Sequence, residues 1–172
     1  MDSPTARASS DESVRLRAGL LSLVVAIALL GVKYFAYRLT HSSAVLSDAL
    51  ESITNVVAAM FALGGLVFAG RPADRGHPYG HGKIEYFSAV FEGGLIAFAA
   101  VLILWQAFLS LHAGHVVHEV DLGIALTVAS GAVNAALGWY LVTTGRRVNS
   151  ITLVADGKHV LSDFWTLSLI HI

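Results

Sequence analysis

Five apolar runs follow one another along the chain, at residues 16–39, 44–70, 85–111, 121–144 and 150–172. At about 1.5 Å per residue, some 20 residues cross the roughly 30 Å hydrocarbon core of a bilayer as a helix. Within that core each backbone N–H and C=O has to find its partner inside the protein, which runs of this length do by forming helices. The expected fold is therefore all-α, a polytopic transmembrane helix bundle. Composition agrees, since 55% of residues are hydrophobic and 13% charged, against roughly 25% charged in soluble domains. There is no cysteine, which excludes disulfides and thiolate metal sites. The net charge of −1 gives no ground for a nucleic-acid partner.

Residues 1–15 are polar, rich in Ser and Asp, and lack the basic start and short apolar core of a cleaved signal peptide. They read as a disordered tail. Lys33, Tyr34, Tyr37 and Arg38 crowd the far end of the first run, where a snorkelling cation and aromatic anchors are expected. Arg7, Arg15, Arg17, Arg71, Arg75, Lys83, Arg146 and Arg147 fall in the tail and in the second and fourth loops, whereas the first and third loops carry no Lys or Arg. That asymmetry puts the amino terminus in the cytoplasm of a multi-pass protein of the inner (cytoplasmic) membrane. The fifth run ends at Ile172 without a flank, and Leu167–Ile172, LSLIHI, reads as a translated sequencing adapter. A fragment, native to about Thr166, is expected.

Ionisable residues inside such runs are costly and functional. In the stretch VADGKHVLSD, His159 and Asp163 are four apart and Asp156 precedes them by one turn, so all three share one helix face. An imidazole and a carboxylate so placed can hold one divalent cation. Half of the pattern recurs in the second run, where Asp48, Glu51 and Asn55 repeat the spacing. If the two helices face each other, Glu51, Asn55, His159 and Asp163 converge. Asp48 and Asp156, near the starts of their runs, read either as helix caps or as residues of a second ligand layer or proton path. Glu92 lies deep enough in the third run to need water or a partner, and Gly93-Gly94 beside it suggests close packing. His112, His115, His118 and Glu119 gather around the third loop, which an exposed polar loop explains equally well.

Three stretches together, SDALESITN, RPADRGHPYGHGKIEYFSA and VADGKHVLSD, resemble the cation diffusion facilitators, over about Leu16 to Thr166. The resemblance implies a six-span bundle, of which five spans are present, followed by a cytoplasmic α/β domain that dimerises, so that a homodimer is the expected assembly. It implies proton-coupled efflux of divalent metal through a site at Glu51, Asn55, His159 and Asp163, with lipid, metal ions and protons as the partners. A second family site maps onto Asp74, His77 and His81 in the second loop. The pair in span two departs from the Asp/Asp or His/Asp of zinc exporters. Asn55 removes one negative charge, so iron(II), cobalt, manganese or cadmium also suit the donor set beside zinc.

No organic cofactor is implied, and no nucleophile–base pair or phosphate-cradling glycine loop supports an enzyme. Two other readings stay open at this point: a metal-sensing or scaffolding membrane protein without turnover, and an inactive fragment of the transporter. For the polar pairs themselves the alternative role is hydrogen-bonded glue between helices.

Overall fold

The computed structural model describes residues 4–41, 43–113 and 121–170. They form five helices: α1 Pro4–Thr40, α2 Ser43–Ala69, α3 Ile84–Ala113, α4 Asp121–Arg147 and α5 Ile151–Ile170. All described regular structure is helical, so the chain is an all-α bundle. Among the described residues, three helices contain stretches long and apolar enough to cross a bilayer, Ser10–Thr40, Asp48–Ala69 and Ile84–Leu102. In α4 Asn134, Thr143 and Thr144 interrupt the apolar sequence, as do Asp156, Lys158, His159 and Asp163 in α5.

The first helix corrects the expectation of a disordered tail over 1–15, because residues 4–15 form its opening turns. Pro4 suits the first helical position, where its missing N–H is not needed. Arg15 then gives this segment tertiary anchors: its guanidinium donates to Val148 O at 2.6 Å and to Glu85 Oε1 at 2.9 Å. The helix stops at His41, whose φ of 52° breaks the helical path while its N–H donates to Tyr37 O at 2.8 Å.

A tight link folds α4 back on α5. Asn149 takes φ 51° and the Ser150 N–H donates to Gly145 O at 2.9 Å, a six-to-one closure of the Schellman type. Ser150 then caps α5, accepting from the Leu153 N–H at 3.4 Å. Close contact between the two helices depends on missing side chains. A Cβ on Gly157 would lie 2.8 Å from Gly138 O and 2.8 Å from Val142 N, so α4 and α5 meet backbone to backbone. Gly93 and Gly94, by contrast, have nothing within 4 Å of an added Cβ; they face out of the bundle, and the close packing expected there is absent.

The buried apolar core runs through Ala18 of α1, Leu66 of α2, Leu137 and Leu141 of α4 and Leu153 and Val160 of α5. One end of the bundle gathers Arg15, the 70–83 loop, Glu85 and the 148–150 turn; the other gathers Lys33 and Asp48. Glu85 ties its end together, since Ser150 Oγ donates to Glu85 Oε2 at 2.6 Å and Thr152 Oγ1 donates to Glu85 O at 3.2 Å. At the opposite end Lys33 and Asp48 form an ion pair of 2.7 Å with side chains 6% and 12% exposed. Lys33 therefore does not snorkel outward as expected; α2 offers its ammonium a carboxylate inside the bundle.

Candidate metal centres

Contact with α4 along Gly157 turns the polar stripe of α5 toward the other helices. Asp156, His159 and Asp163 are all buried, at 1%, 3% and 8% exposure. Asp163 lies against the Asn55 side chain and within electrostatic reach of Glu51. Spans two and five therefore approach each other at these positions. Their depths agree: Asn55 is 12 residues past Ser43 and Asp163 12 residues past Ile151, each about 18 Å along helices that enter from opposite ends. The polar groups that meet are thus near the middle of the bundle.

His159 is the reactive member of this group. Both ring nitrogens are buried and have no hydrogen-bond partner, and one oxygen of Asp163, Oδ2, is likewise unpartnered. Buried polar atoms are otherwise held by hydrogen bonds, so these atoms are free to act as ligand donors. Glu51, His159 and Asp163 do not close into a tight trio among the described residues. The stripe of α5 and the half-buried Glu51 and Asn55 of α2 supply four donors to one region, at a spacing wider than a filled coordination sphere. A small internal cavity beside them is lined by Ser22, Ser52, Asn55 and Asn134 among apolar neighbours.

Asp48 and Asp156 occupy different surroundings. Asp48 bonds to Lys33 and remains within electrostatic reach of Glu51 and Asp163, which places it behind the ligands. Ser52 Oγ donates to Asp48 O at 3.0 Å. Asp156 sits a turn from His159, against Ser22 of α1 and within reach of Glu92 of α3.

The 71–83 loop holds a second group. Asp74, His77 and His81 bring their ligand atoms within 4.8 Å of one another. Asp74 organises the turn: its Oδ1 accepts from the N–H groups of His77 at 2.7 Å and Gly76 at 2.8 Å. The His77 N–H is the largest influence holding the Asp74 carboxyl below the usual carboxylate range. The carboxylate is thereby kept ionised and ready to ligate. His77 Nδ1 lies 3.2 Å from Asp74 Oδ1 and His81 Nε2 3.5 Å from Asp74 Oδ2. Gly80, at φ 79°, lets the chain reverse between the two histidines. His77 is exposed, but His81 is buried edge-on against Phe68, 5.6 Å between ring centroids, with its Nδ1 unpartnered. This group is therefore half embedded in the end of the bundle.

His115, His118 and Glu119 lie outside the described residues, as does the His112 side chain. Sequence reasoning missed the Arg15–Glu85–Ser150 node and the partner of Lys33. A signal for both was available: Arg15, Ala18, Ser22, Ala26 and Lys33 recur at spacings of three, four and seven, the pattern of one buried face of α1.

The family model of the cation efflux transmembrane domain matches residues 19–172. The chain belongs to the cation diffusion facilitators. This facilitator chain is 44% identical over 147 residues to an uncharacterized transporter of Synechocystis, covering 86% of the chain and 47% of that protein. It is 30% identical over 148 residues to the manganese efflux system protein MneP of Bacillus subtilis, covering 86% and 50%. It is 29% identical over 147 residues to the cation-efflux pump FieF of Cronobacter sakazakii, covering 86% and 49%. The chain spans about half the length of these curated relatives. The facilitator family is a family of membrane transporters of metal cations, so transport in place of enzymatic chemistry is the family's activity, with divalent metal as cargo.

Proposed function

We propose that this chain is the metal-carrying part of a proton-coupled exporter of divalent cations, with Glu51, Asn55, His159 and Asp163 as the transport site. The observation that carries this reading is His159: a buried imidazole with neither nitrogen engaged, one turn from Asp163, which faces Asn55 and Glu51. A ligating imidazole must be neutral and ligating carboxylates ionised, so metal and protons compete for the same atoms. Imidazole titrates near physiological pH, which makes His159 the candidate for the coupled proton. Metal taken up between α2 and α5 leaves on the other side after a rocking motion, and protons return in exchange.

One imidazole with three oxygen donors takes zinc, iron(II), cobalt, manganese or cadmium. The similarity to a manganese efflux protein gives manganese more weight than the residues alone did. Asp74, His77 and His81 would collect metal at the cytoplasmic mouth, with the amino terminus and the 71–83 loop in the cytoplasm and the bundle in the inner membrane as a homodimer. Asp48 stands behind the ligands, whereas Asp156 lies one turn from His159, toward Ser22 and Glu92.

The test is uptake of zinc, iron(II), manganese, cobalt and cadmium by proteoliposomes holding the full protein under an imposed pH gradient. Transport of at least one metal is expected, together with its loss in His159→Ala and in Asp163→Ala. Exchange retained in both variants would overturn the site. Binding without movement of any metal would leave a sensor or scaffold.

A further inference from the structure

Glu92 and Asp156 belong to neither metal centre, yet they are among the most deeply buried polar side chains of the bundle. Glu92, in α3, is 0% exposed and Asp156, in α5, is 1% exposed. Each lies within electrostatic reach of the other. Ser88 Oγ donates to Glu92 Oε1 at 3.5 Å. The Ser22 hydroxyl of α1 lies against the Asp156 carboxylate without closing a hydrogen bond to either oxygen. Glu92 Oε2 and both Asp156 oxygens are buried and unpartnered. Among the described residues no Lys, Arg or His acts on either carboxylate.

Buried carboxylates without a cationic side chain need a proton or a bound cation. A proton shared between them would hold an oxygen of one within hydrogen-bonding distance of the other. The unpartnered oxygens show that no such bond joins them, which leaves a separate proton on each carboxyl or one cation held between them. Three helices thus present carboxylate and hydroxyl oxygens to one another and no nitrogen. Hard divalent ions such as manganese prefer this kind of donor set, whereas zinc favours sites with imidazole.

We infer that Glu92 and Asp156, with the hydroxyls of Ser22 and Ser88, form a third, oxygen-only site for a hard divalent cation inside the bundle. Its position makes it a waystation. Asp156 is five residues past Ile151 and Glu92 eight past Ile84, about 8 and 12 Å from the loop end. The loop centre lies below this level and His159 one turn above it. Ser22 also lines the small cavity that reaches Asn55, so one residue of the waystation borders the transport site. The inference concerns binding and stands whether or not the bundle transports.

Manganese binding by the full protein in lipid nanodiscs, followed by the electron paramagnetic resonance of the free and bound ion, tests it. The background variant carries His159→Ala, Asp163→Ala, Asp74→Ala and His77→Ala, which removes both other centres. About one bound manganese per chain is expected to remain there, with no nitrogen modulation in pulsed spectra because its ligands are oxygens. Glu92→Gln or Asp156→Asn added to the background should release that ion, and Ser22→Ala, a gentler change, should weaken it several-fold. In the otherwise native protein Glu92→Gln should lose this one equivalent and keep the rest, which also establishes that the variant folds. A background protein that holds no manganese, retention of the ion in both carboxylate variants, or nitrogen modulation from it would each overturn the site.

Discussion

The Lys33–Asp48 pair shows how a single charged residue is tolerated inside an apolar helix. At 2.7 Å, with both side chains nearly removed from solvent, each charge is the other's main compensation. Removing one partner leaves an uncompensated charge, at a loss on the order of 3–5 kcal/mol. Lys33→Met or Asp48→Leu alone should therefore lower the thermal unfolding midpoint clearly, while the double replacement recovers most of it. Equal losses in the single and double variants would contradict the pairing. Asp74 makes a milder prediction outside the membrane. Its carboxyl titrates below the ordinary range because the His77 and Gly76 N–H groups bind the ionised form. The stabilisation is then fully present above the ordinary carboxyl range and disappears as pH falls through the lowered value. Amide resonances of Gly76 and His77 should hold their positions through the range in which a free aspartate titrates and move only below it. Asp74→Ala should shift them at every pH.

Among the elements, the α4–α5 hairpin decides where the proposed ligands of α5 point. The turn at Val148–Ser150 sets the antiparallel return, and the Gly138–Gly157 contact sets the rotation of α5 about its axis. A methyl group at residue 157 would meet backbone atoms at 2.8 Å, and backbone cannot step aside as a flexible side chain can. Gly157→Ala should destabilise the bundle by roughly 1–3 kcal/mol, the usual effect of overpacking, and should also weaken metal binding at the proposed His159 site by tilting the stripe. Gly93→Ala is the matched control. With open space around that position, alanine should be neutral or slightly stabilising, as its helix propensity favours. Similar losses at both positions, measured by thermal unfolding, would deny the hairpin this role.

Taken whole, the molecule is fastened at both ends. At one, Arg15 links α1 to Glu85 of α3 and to the carbonyl of Val148, while Ser150 joins the same carboxylate. At the other, Lys33 links α1 to α2. The proposed rocking motion would have to release one fastening at a time, and α1 takes part in both. The chain has no cysteine, so Ser150→Cys is a clean probe of the loop end. Ser150 is fully buried beneath Arg15 and Glu85, and its cysteine should react slowly with a membrane-impermeant maleimide. Adding Arg15→Ala should raise the labelling rate at least several-fold. An unchanged rate would mean that Arg15 does not hold that end closed.

Much of this was legible in the chain before any coordinates. Apolar runs dictate helices because lipid leaves the backbone no other partners, and a spacing of three and four places Asp156, His159 and Asp163 on one face whatever surrounds them. The repeat at Asp48, Glu51 and Asn55 pointed to one candidate metal centre for the same local reason, whereas the loop ADRGHPYGH was singled out through the family resemblance. The extent of α1 was misread because polar residues suggested a tail, whereas Arg15 has tertiary partners. Periodicity records which face of a helix is buried, not what it meets. Only the tertiary structure, through helix rotation and depth, decided that Lys33 reaches Asp48, that Arg15 reaches a turn 133 residues away, that His81 slips beneath Phe68, and that Glu92 converges on Asp156. Those pairings depend on geometry between segments far apart in the chain, and local spacing carries no record of that geometry.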